Sequence, residues 1–394
     1  MTRTRHRYVL AENDRSGVPA ALGAQQAHAL RESGLVDVRW EGDGSSLLVP
    51  RGRVGAVNVD GVDVIVTPKV GIARLLFLLG YARDPGFRPE DVEGIQEDDL
   101  WAAVAETVCR HAERALARGI LQGYVTEDAA LTVMRGRLRI ADQISRRPGM
   151  LLPLEVRYDE YSVDIPENRL LRTAIRRVRA LPRLREELVA RLRHLDARLD
   201  GVVPLVTGAP LPEWQPTRLN TRYQSSLRLA EMVLRMMSFE VGSGGIDVAA
   251  FVVDMATVFE NFVALALGEA LSSRPGATIP QYPACLDRDG EIRMKVDVVH
   301  VVDRIPRIIA DAKYKLADSA GRYPNADHYQ MLAYCTALQL PKAWLVYASG
   351  DGSARPRRIL NSPVSVIEYP LDLATSPGEL VRQVAILADR AWDE

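Results

Sequence analysis

Apolar and polar residues alternate most clearly in two short runs toward the C-terminal end of the chain. Residues 296–302 are mostly β-branched and apolar, and residues 307–313 form a second run of the same kind. Both runs are typical of β-strands, and the four residues between them, which include Pro306, suit a tight connection. Because side chains alternate faces along a strand, Asp311 and Lys313 are expected on the same side. The pattern therefore predicts a hairpin that carries a charged pair.

The register of this hairpin decides whether a third charged residue joins the pair. If the hairpin closes symmetrically around residues 303–306, Asp297 lies opposite Ala312, one step from both Asp311 and Lys313. A one-residue shift or a bulge would put Asp297 directly across from Asp311. Two carboxylates and an ammonium would then share one patch of sheet. Like charges are unfavourable there unless a divalent cation lies between the carboxylates.

Other patterns divide the chain into three regions. Short alternating runs separated by glycines predict a small β-rich N-terminal domain over residues 1–95, with a docking or recognition role. Leucine-rich periodic stretches, among them residues 165–181 and 184–199, predict a mostly helical middle region over 96–245. From 246 to 394 the order strand, strand, helix, strand predicts a mixed central sheet flanked by helices. The predicted fold class is therefore mixed, of the α+β kind.

Composition narrows the functional classes. The 394 residues suffice for about two or three domains. The formal net charge of −1 gives no global basic field, so any contact with nucleic acid must come from local patches or from a partner. The three cysteines match no zinc-binding spacing and are typical of a reducing compartment. Neither a signal peptide nor a run of about 18 apolar residues is evident, so we expect a cytoplasmic protein with no membrane partner.

The three charged residues of the hairpin have separable chemical roles. Asp297 and Asp311 offer hard oxygen ligands for Mg²⁺, with Mn²⁺ as an alternative, and the backbone carbonyl of Ala312 would assist them. Lys313 would orient or deprotonate an attacking water and stabilise the charge that develops on a phosphate. An Asp-x-Lys triplet is common in ordinary strands, so further signals are needed before a catalytic role is favoured.

Lysine usage is one such signal, although a weak one by itself. Of the 50 lysines and arginines only five are lysines, and three of them, Lys295, Lys313 and Lys315, lie at this hairpin. Arginine serves as the cation almost everywhere else in the chain. Retention of an amine at these positions indicates that a compact, titratable cation is needed there.

The order of Asp, about a dozen residues, and then Asp-x-Lys on adjacent strands resembles the PD-(D/E)xK nuclease superfamily, which implies a restriction-endonuclease-like α/β core over residues 246–394. The proline of that signature is absent, since Val296 precedes Asp297. The resemblance implies that Glu260, on an amphipathic helix upstream, is a further metal-binding glutamate. Gln330 and Tyr334 are four residues apart and hence on one face of the next predicted helix. They match a Gln-x-x-x-Tyr that supports the site or touches DNA in a subset of these nucleases.

Segments from about residue 66 to the C-terminal end resemble the McrC family, the nuclease subunits of McrBC-type modification-dependent (type IV) restriction systems. The segments that carry the resemblance are Pro68-Lys69, 75–82, Arg135-Gly136-Arg137, 158–171, 253–255 with Phe259-Glu260, 311–315 and 329–334. The resemblance implies a Mg²⁺-dependent DNA endonuclease subunit of a phage-defence complex. The catalytic residues implied are Asp297, Asp311, Lys313, Glu260, Gln330 and Tyr334, with metal contacts from Asp297, Asp311, Ala312 and Glu260.

The resemblance also implies a protein partner. Subunits of this family dock on a hexameric AAA+ GTPase, stimulate its hydrolysis and cleave DNA after the motor has translocated along it. By this resemblance, the middle region over 96–245 is expected to dock the partner. This chain contains no Gly-x-x-x-x-Gly-Lys-Ser/Thr loop, so the nucleotide engine is expected on another chain. Two alternatives remain open. One is a non-cleaving adaptor that activates an AAA+ NTPase, and the other is a stand-alone RecB-like exonuclease, which Gln330 and Tyr334 suggest.

Overall fold

The computed structural model describes residues 6–41, 45–82, 99–242, 246–315, 324–348 and 353–394. The boundary predicted between residues 95 and 96 lies outside these ranges. Within them the chain forms ten α-helices and seventeen strands, which confirms the mixed α/β class. None of the helices in this described part is both long enough and apolar enough to cross a lipid bilayer.

The helices are α1 (Ala24–Glu32), α2 (Ile72–Tyr81), α3 (Leu100–Leu116), α4 (Ile140–Arg146), α5 (Pro166–Arg179), α6 (Glu186–Arg198), α7 (Gln224–Met236), α8 (Met255–Ala270), α9 (Asn325–Leu338) and α10 (Pro377–Asp393). The strands are β1 (His6–Ala11), β2 (Val18–Ala20), β3 (Val36–Trp40), β4 (Ser46–Pro50), β5 (Val54–Val59), β6 (Val62–Thr67), β7 (Gly123–Leu131), β8 (Arg137–Leu138), β9 (Leu154–Ser162), β10 (Met237–Gly242), β11 (Ile246–Val253), β12 (Ala277–Cys285), β13 (Arg293–Val302), β14 (Ile305–Lys313), β15 (Lys342–Tyr347), β16 (Arg355–Arg358) and β17 (Ser365–Pro370). They group into two compact units, one of residues 1–103 and 236–394 and the other of residues 104–235.

A five-stranded sheet in the first unit joins segments that are far apart in sequence. Its order is β1-β6-β5-β11-β10, with β1 parallel to β6 and the other neighbours antiparallel. Strand β5 belongs to the β-rich N-terminal region, whereas β11 opens the C-terminal region. Gly55 permits their close approach, because a Cβ at its φ of +147° would lie 2.0 Å from the Phe251 carbonyl oxygen. The two regions therefore share one sheet.

A six-stranded mixed sheet in the same unit has the order β12-β13-β14-β15-β17-β16. Strands β12, β13 and β14 form an antiparallel meander, and β14, β15 and β17 run parallel. Helix α9 connects β14 to β15, and its Met331 packs in a buried cluster with Ile309 and Leu345. Helix α8 packs against β12, β13 and β14, and its Phe259 ring lies 6.2 Å from the Tyr314 ring. The helices thus fix the strand ends where the charged residues lie.

Helices α5 and α6 pack as a pair in the second unit, as their leucine periodicity predicts. Leu171 and Ile175 of α5 and Leu188 and Leu192 of α6 are buried. Their burial removes apolar surface from water, which is the main stabilising contribution of such a pair. Arginines occupy positions between these buried residues. The sequence pattern predicts that most of the arginine side chains face solvent.

Three of those arginines donate hydrogen bonds to one shared carboxylate. Asp196 on α6 accepts hydrogen bonds from Nε of Arg172 at 2.9 Å, Nε of Arg176 at 2.8 Å and Nη1 of Arg179 at 3.0 Å. The side chains of Asp196 and Arg172 are each 11% exposed. Burial alone would raise the pKa of Asp196, but the hydrogen bonds and charges of Arg172 and Arg176 outweigh it and hold the pKa below its ordinary value.

A β-ribbon lies within the region predicted as mostly helical. Strands β7 and β9 pair antiparallel over nine residues each, β8 pairs with β9, and α4 follows β8. Gly136 forms a tight turn before β8, where a Cβ would lie 2.2 Å from the Arg157 carbonyl oxygen.

We call residues 123–162 the arm. Most of β7 is exposed and its sequence GYVTEDAAL lacks apolar alternation, so the strand signal is weak.

Candidate active site

The predicted hairpin is present in β13 and β14 and turns more tightly than its sequence indicated. The connection is two residues, Asp303 and Arg304, whose φ values of 52° and 67° suit a type I′ turn. The four-residue connection expected around Pro306 was too long, because aspartate tolerates the left-handed conformation that starts the turn early. Pro306 instead pairs with Val301, and the ladder shifts register between His300 and Val301. Proline has no N–H to donate, which accounts for an irregularity at this point.

The shifted register places the two aspartates opposite each other. Val298 pairs with Ala310, so the next residues along the two strands, Asp297 and Asp311, face each other. This is the second of the two registers that the sequence left open. In addition, Asp297 Oδ2 accepts a hydrogen bond from the Ala312 N–H at 3.1 Å. Ala312 therefore orients one carboxylate through its N–H, a contact that the sequence analysis missed.

Asp311 and Lys313 form the closest charged pair of the site. Lys313 Nζ lies 2.6 Å from Asp311 Oδ2; Asp311 is fully buried, and the Lys313 side chain is 16% exposed. The Lys313 ammonium thus compensates the charge at Oδ2, whereas Oδ1 is buried and has no hydrogen-bond partner within the described ranges. Buried carboxylate oxygens that lack such partners are costly. A cation is the partner that this residue set fits chemically.

The electrostatics of the site favour positive charge beside Asp311. Burial raises the pKa of Asp311 to about 7, the charge of Asp297 contributes to the rise, and Lys313 opposes it. Burial alone would lower the pKa of Lys313, but the charges of Asp311 and Asp297 raise it above its ordinary value. Lys313 is therefore an ammonium at neutral pH.

Glu260 on α8 lies within electrostatic range of this pair. Burial raises the pKa of Glu260, Asp297 raises it further, and Lys313 lowers it. Across the described residues, no three acidic, histidine or cysteine side chains are grouped closely enough to hold a metal ion. The preformed set is thus Asp297 and Asp311 with Lys313. Mg²⁺ is commonly bound through one or two carboxylates plus water, so two carboxylates fit this ion.

Gln330 and Tyr334 stabilise the strand that carries Asp297 through hydrogen bonds. Gln330 Nε2 donates to the Tyr334 hydroxyl at 2.6 Å, and that hydroxyl donates to the Lys295 carbonyl at 2.9 Å. Tyr334 is 3% exposed, and burial raises its pKa. The pair therefore fixes β13 two residues before Asp297. A role of Gln330 and Tyr334 in supporting the site or touching DNA stays a prediction.

Two further contacts around the strand end were not predicted from the sequence, which had indicated Lys315 but not its partner. Lys315 Nζ lies 2.7 Å from Oδ1 of the buried Asp327, in the first turn of α9. The Tyr314 hydroxyl donates to Glu12 Oε2 at 3.2 Å, and the Lys69 N–H donates to the same oxygen at 3.3 Å. Tyr314, Lys315 and Lys69 lie in segments that carry the McrC resemblance. That resemblance is the feature of the sequence that could have identified them. Glu12 and Asp327 had no such signal, because only the fold brings them to β14.

Comparisons with known proteins agree with this fold. A family model described as McrBC 5-methylcytosine restriction system component matches residues 48–348. No curated protein matches the chain. A chain of the refined half-complex from the tetradecameric assembly of Thermococcus gammatolerans McrB AAA+ hexamers with bound McrC is similar at 17% identity and a TM-score of 0.63. The similarity covers 98% of this chain and 99% of that chain, and it indicates a shared fold.

A second solved structure, the cryo-EM structure of the Thermococcus gammatolerans McrBC complex, contains a chain similar at 19% identity and a TM-score of 0.45. The similarity covers 67% of this chain and 88% of that chain. The residues matched by the family model begin in β4 and continue past β15, so they include the arm and the hairpin of β13 and β14. With most of its length matched, the chain belongs to the family of McrBC 5-methylcytosine restriction system components.

Proposed function

We propose that this chain is the Mg²⁺-dependent DNA endonuclease subunit of an McrBC-like restriction complex, with a site of the PD-(D/E)xK kind. The observation that carries the proposal is a fully buried Asp311 that lies opposite Asp297 and 2.6 Å from Lys313. Two carboxylates on facing strands repel each other, and Oδ1 of the buried Asp311 has no hydrogen-bond partner among the described residues. Such a set is costly for folding alone, which favours a role in binding a cation.

Each residue of the site has a definable task in phosphodiester hydrolysis. Asp297 and Asp311, with the Ala312 carbonyl and Glu260, would hold Mg²⁺, or Mn²⁺ as an alternative. The ion supplies positive charge beside the scissile phosphate. Lys313 would orient or deprotonate the attacking water and would stabilise the negative charge that develops on the phosphate.

Metal binding can be tested on the chain alone, which avoids the Mg²⁺ that a nucleotide-hydrolysing partner also requires. Isothermal titration of Mn²⁺ into the metal-free full chain is expected to give binding heat that Asp297→Asn removes, because that variant loses one of two ligand carboxylates. The matched control is Asp303→Asn, at the exposed turn of the same hairpin. Equal binding by the wild-type chain and Asp297→Asn would contradict the metal assignment.

We also propose a partner, a hexameric AAA+ GTPase whose hydrolysis this chain stimulates. The Thermococcus gammatolerans assembly consists of McrB AAA+ hexamers with bound McrC, and its similarity in fold to this chain supports the same arrangement here. The absence of a phosphate-binding Gly-x-x-x-x-Gly-Lys-Ser/Thr loop from the sequence is consistent with it. DNA would then be delivered to the nuclease site by the partner.

The arm has the surface expected for contact with such a partner. Nine large apolar side chains in it are exposed: Tyr124, Val133, Met134, Ile140, Ile144, Met150, Leu151, Leu152 and Tyr161. Its charged side chains, by contrast, pair with one another, as in the contacts of Asp128 with Arg157 at 2.6 Å and of Glu155 with Arg147 at 3.0 Å. Exposed apolar patches mark protein interaction sites, and internally paired charges do not suit a phosphate backbone.

A charged double substitution in the arm tests this contact. Val133→Asp combined with Leu151→Asp is expected to weaken association with the AAA+ partner at least about tenfold, because buried apolar anchors contribute about 1–2 kcal/mol each. Stimulated nucleotide hydrolysis, measured as phosphate release, should fall with it. Val203→Asp, another exposed valine of the second unit outside the arm, is the control. Full stimulation by the double variant would exclude the arm as the contact.

A further inference from the structure

A second lysine lies at the end of the strand that carries Lys313. Lys315 follows two residues later, and its N–H donates to the Lys313 carbonyl at 2.8 Å where β14 ends. Its Nζ lies 2.7 Å from Oδ1 of Asp327. The ammonium of Lys315 is thereby held beside the candidate active site instead of rotating freely in solvent.

Asp327 is itself fixed by its surroundings. The residue is 4% exposed, and its Oδ2 accepts a hydrogen bond from the Tyr347 hydroxyl at 3.2 Å. Tyr347 is fully buried on β15 and pairs with Lys313 in the ladder between β14 and β15. A buried carboxylate with both oxygens engaged therefore sets the position of Lys315 relative to Lys313.

The ion pair with the buried Asp327 leaves much of the Lys315 side chain in solvent. The Lys315 side chain is 44% exposed, whereas that of Asp327 is 5% exposed. An ammonium has three N–H donors, and among the described residues Asp327 accepts from one of them. Lys315 therefore keeps the capacity to donate to a ligand while its position stays defined.

The charges around the site indicate the chemical class of the ligand to which Lys315 could donate. Asp297 interacts electrostatically with Asp311 and Glu260, and Asp327 interacts with Lys313, so the candidate site carries several carboxylates. The net charge of −1 provides no compensating field from the rest of the chain. A cation at the rim offsets this repulsion, and a compact ammonium suits a phosphate oxygen.

We propose that Lys315, positioned by Asp327, binds a DNA backbone phosphate next to the scissile phosphodiester. The inference rests on the proposed nuclease function, since it assumes that DNA is bound at Asp311. The contact is electrostatic and carries no base sequence information. Lys315 is a substrate-binding residue in this scheme, and Asp327 is a positioning residue.

The salt dependence of DNA binding tests the contact separately from cleavage. A short fluorescein-labelled DNA duplex is titrated with the full chain by fluorescence anisotropy, in buffer with Ca²⁺ in place of Mg²⁺. Lys315→Ala is expected to make the slope of log affinity against log salt shallower by about 0.9, because one phosphate contact is lost. Lys315→Arg should restore the slope. Asp327→Asn, which keeps the ammonium but loosens its position, should weaken binding with a smaller change of slope.

The control is Lys342→Ala, another partly exposed lysine with an ion pair, to Glu394, at the start of β15. It should leave both affinity and slope unchanged. A wild-type slope for Lys315→Ala, equal changes for Lys342→Ala, or no measurable binding of the duplex by the wild-type chain would overturn the proposal. If the chain binds DNA with the expected slopes but never cleaves it with its partner, the nuclease function fails and the phosphate contact stands.

Discussion

Asp311→Asn is expected to abolish DNA cleavage by the complex of this chain with the proposed AAA+ partner, with a loss on the order of 10³-fold or more. The substitution keeps the size of the buried side chain but removes its charge. It therefore removes a ligand carboxylate and the ion pair that holds Lys313 at 2.6 Å. A 10³-fold loss corresponds to about 4 kcal/mol of transition-state stabilisation. Linearisation of plasmid DNA on gels measures it directly.

The same variant separates the three functional hypotheses. Stimulation of nucleotide hydrolysis in the partner should stay at the wild-type level, because Asp311 is buried in the six-stranded sheet and does not belong to the arm. Wild-type cleavage by Asp311→Asn would refute the site. Normal stimulation with no cleavage by the wild-type complex would favour the adaptor, and digestion of linear DNA without a partner would favour the exonuclease. Asp303→Asn controls for a substitution elsewhere in the hairpin.

The largest stability effect is expected at Asp196→Ala, which should lower the free energy of unfolding of the second unit by about 3 kcal/mol. The substitution leaves Arg172, Arg176 and Arg179 close together without the carboxylate that they share. Arg172 is 11% exposed, so solvent compensates its loss poorly. Urea denaturation followed by helical circular dichroism measures the difference.

The pH dependence of that difference checks its electrostatic origin. The folded pKa of Asp196 lies below its ordinary value, so its contribution to stability is present above pH about 4 and is lost as pH falls through the folded pKa. The difference between wild type and Asp196→Ala should therefore shrink in strong acid. Asp200→Ala, an exposed aspartate just beyond α6, is the control. An effect of equal size at both positions would show that Asp196 acts only as an ordinary surface residue.

The hairpin was predictable from sequence because its information is local. Strand alternation put Asp311 and Lys313 on one side, and two registers for Asp297 followed from the hairpin length alone. The choice between them depended on an irregularity beside Pro306, and on a turn started by Asp303 in the left-handed conformation. Sequence permits both features without requiring them.

The remaining parts of the site depend on contacts between distant segments. Glu12 reaches Tyr314 from the end of β1, and Asp327 meets Lys315 across residues that connect β14 to α9. Neither acid has a periodic pattern or a motif that marks it. The strands of the arm could not be predicted for a different, local reason. They are exposed and lack the apolar alternation by which strands are recognised.

The pairing of β5 with β11 also constrains how the chain is made. Val59 pairs with Val248, so a ribosome must add nearly 190 further residues before β5 finds this neighbour, a delay of about 10–40 s. Residues 104–235, which form a unit of their own, emerge entirely within that interval. Until β11 arrives, β5 is an open sheet edge rich in valine, the kind of surface that chaperones protect from aggregation. Completion of the first unit is therefore late and non-local, whereas the second unit can fold as soon as it has been synthesised.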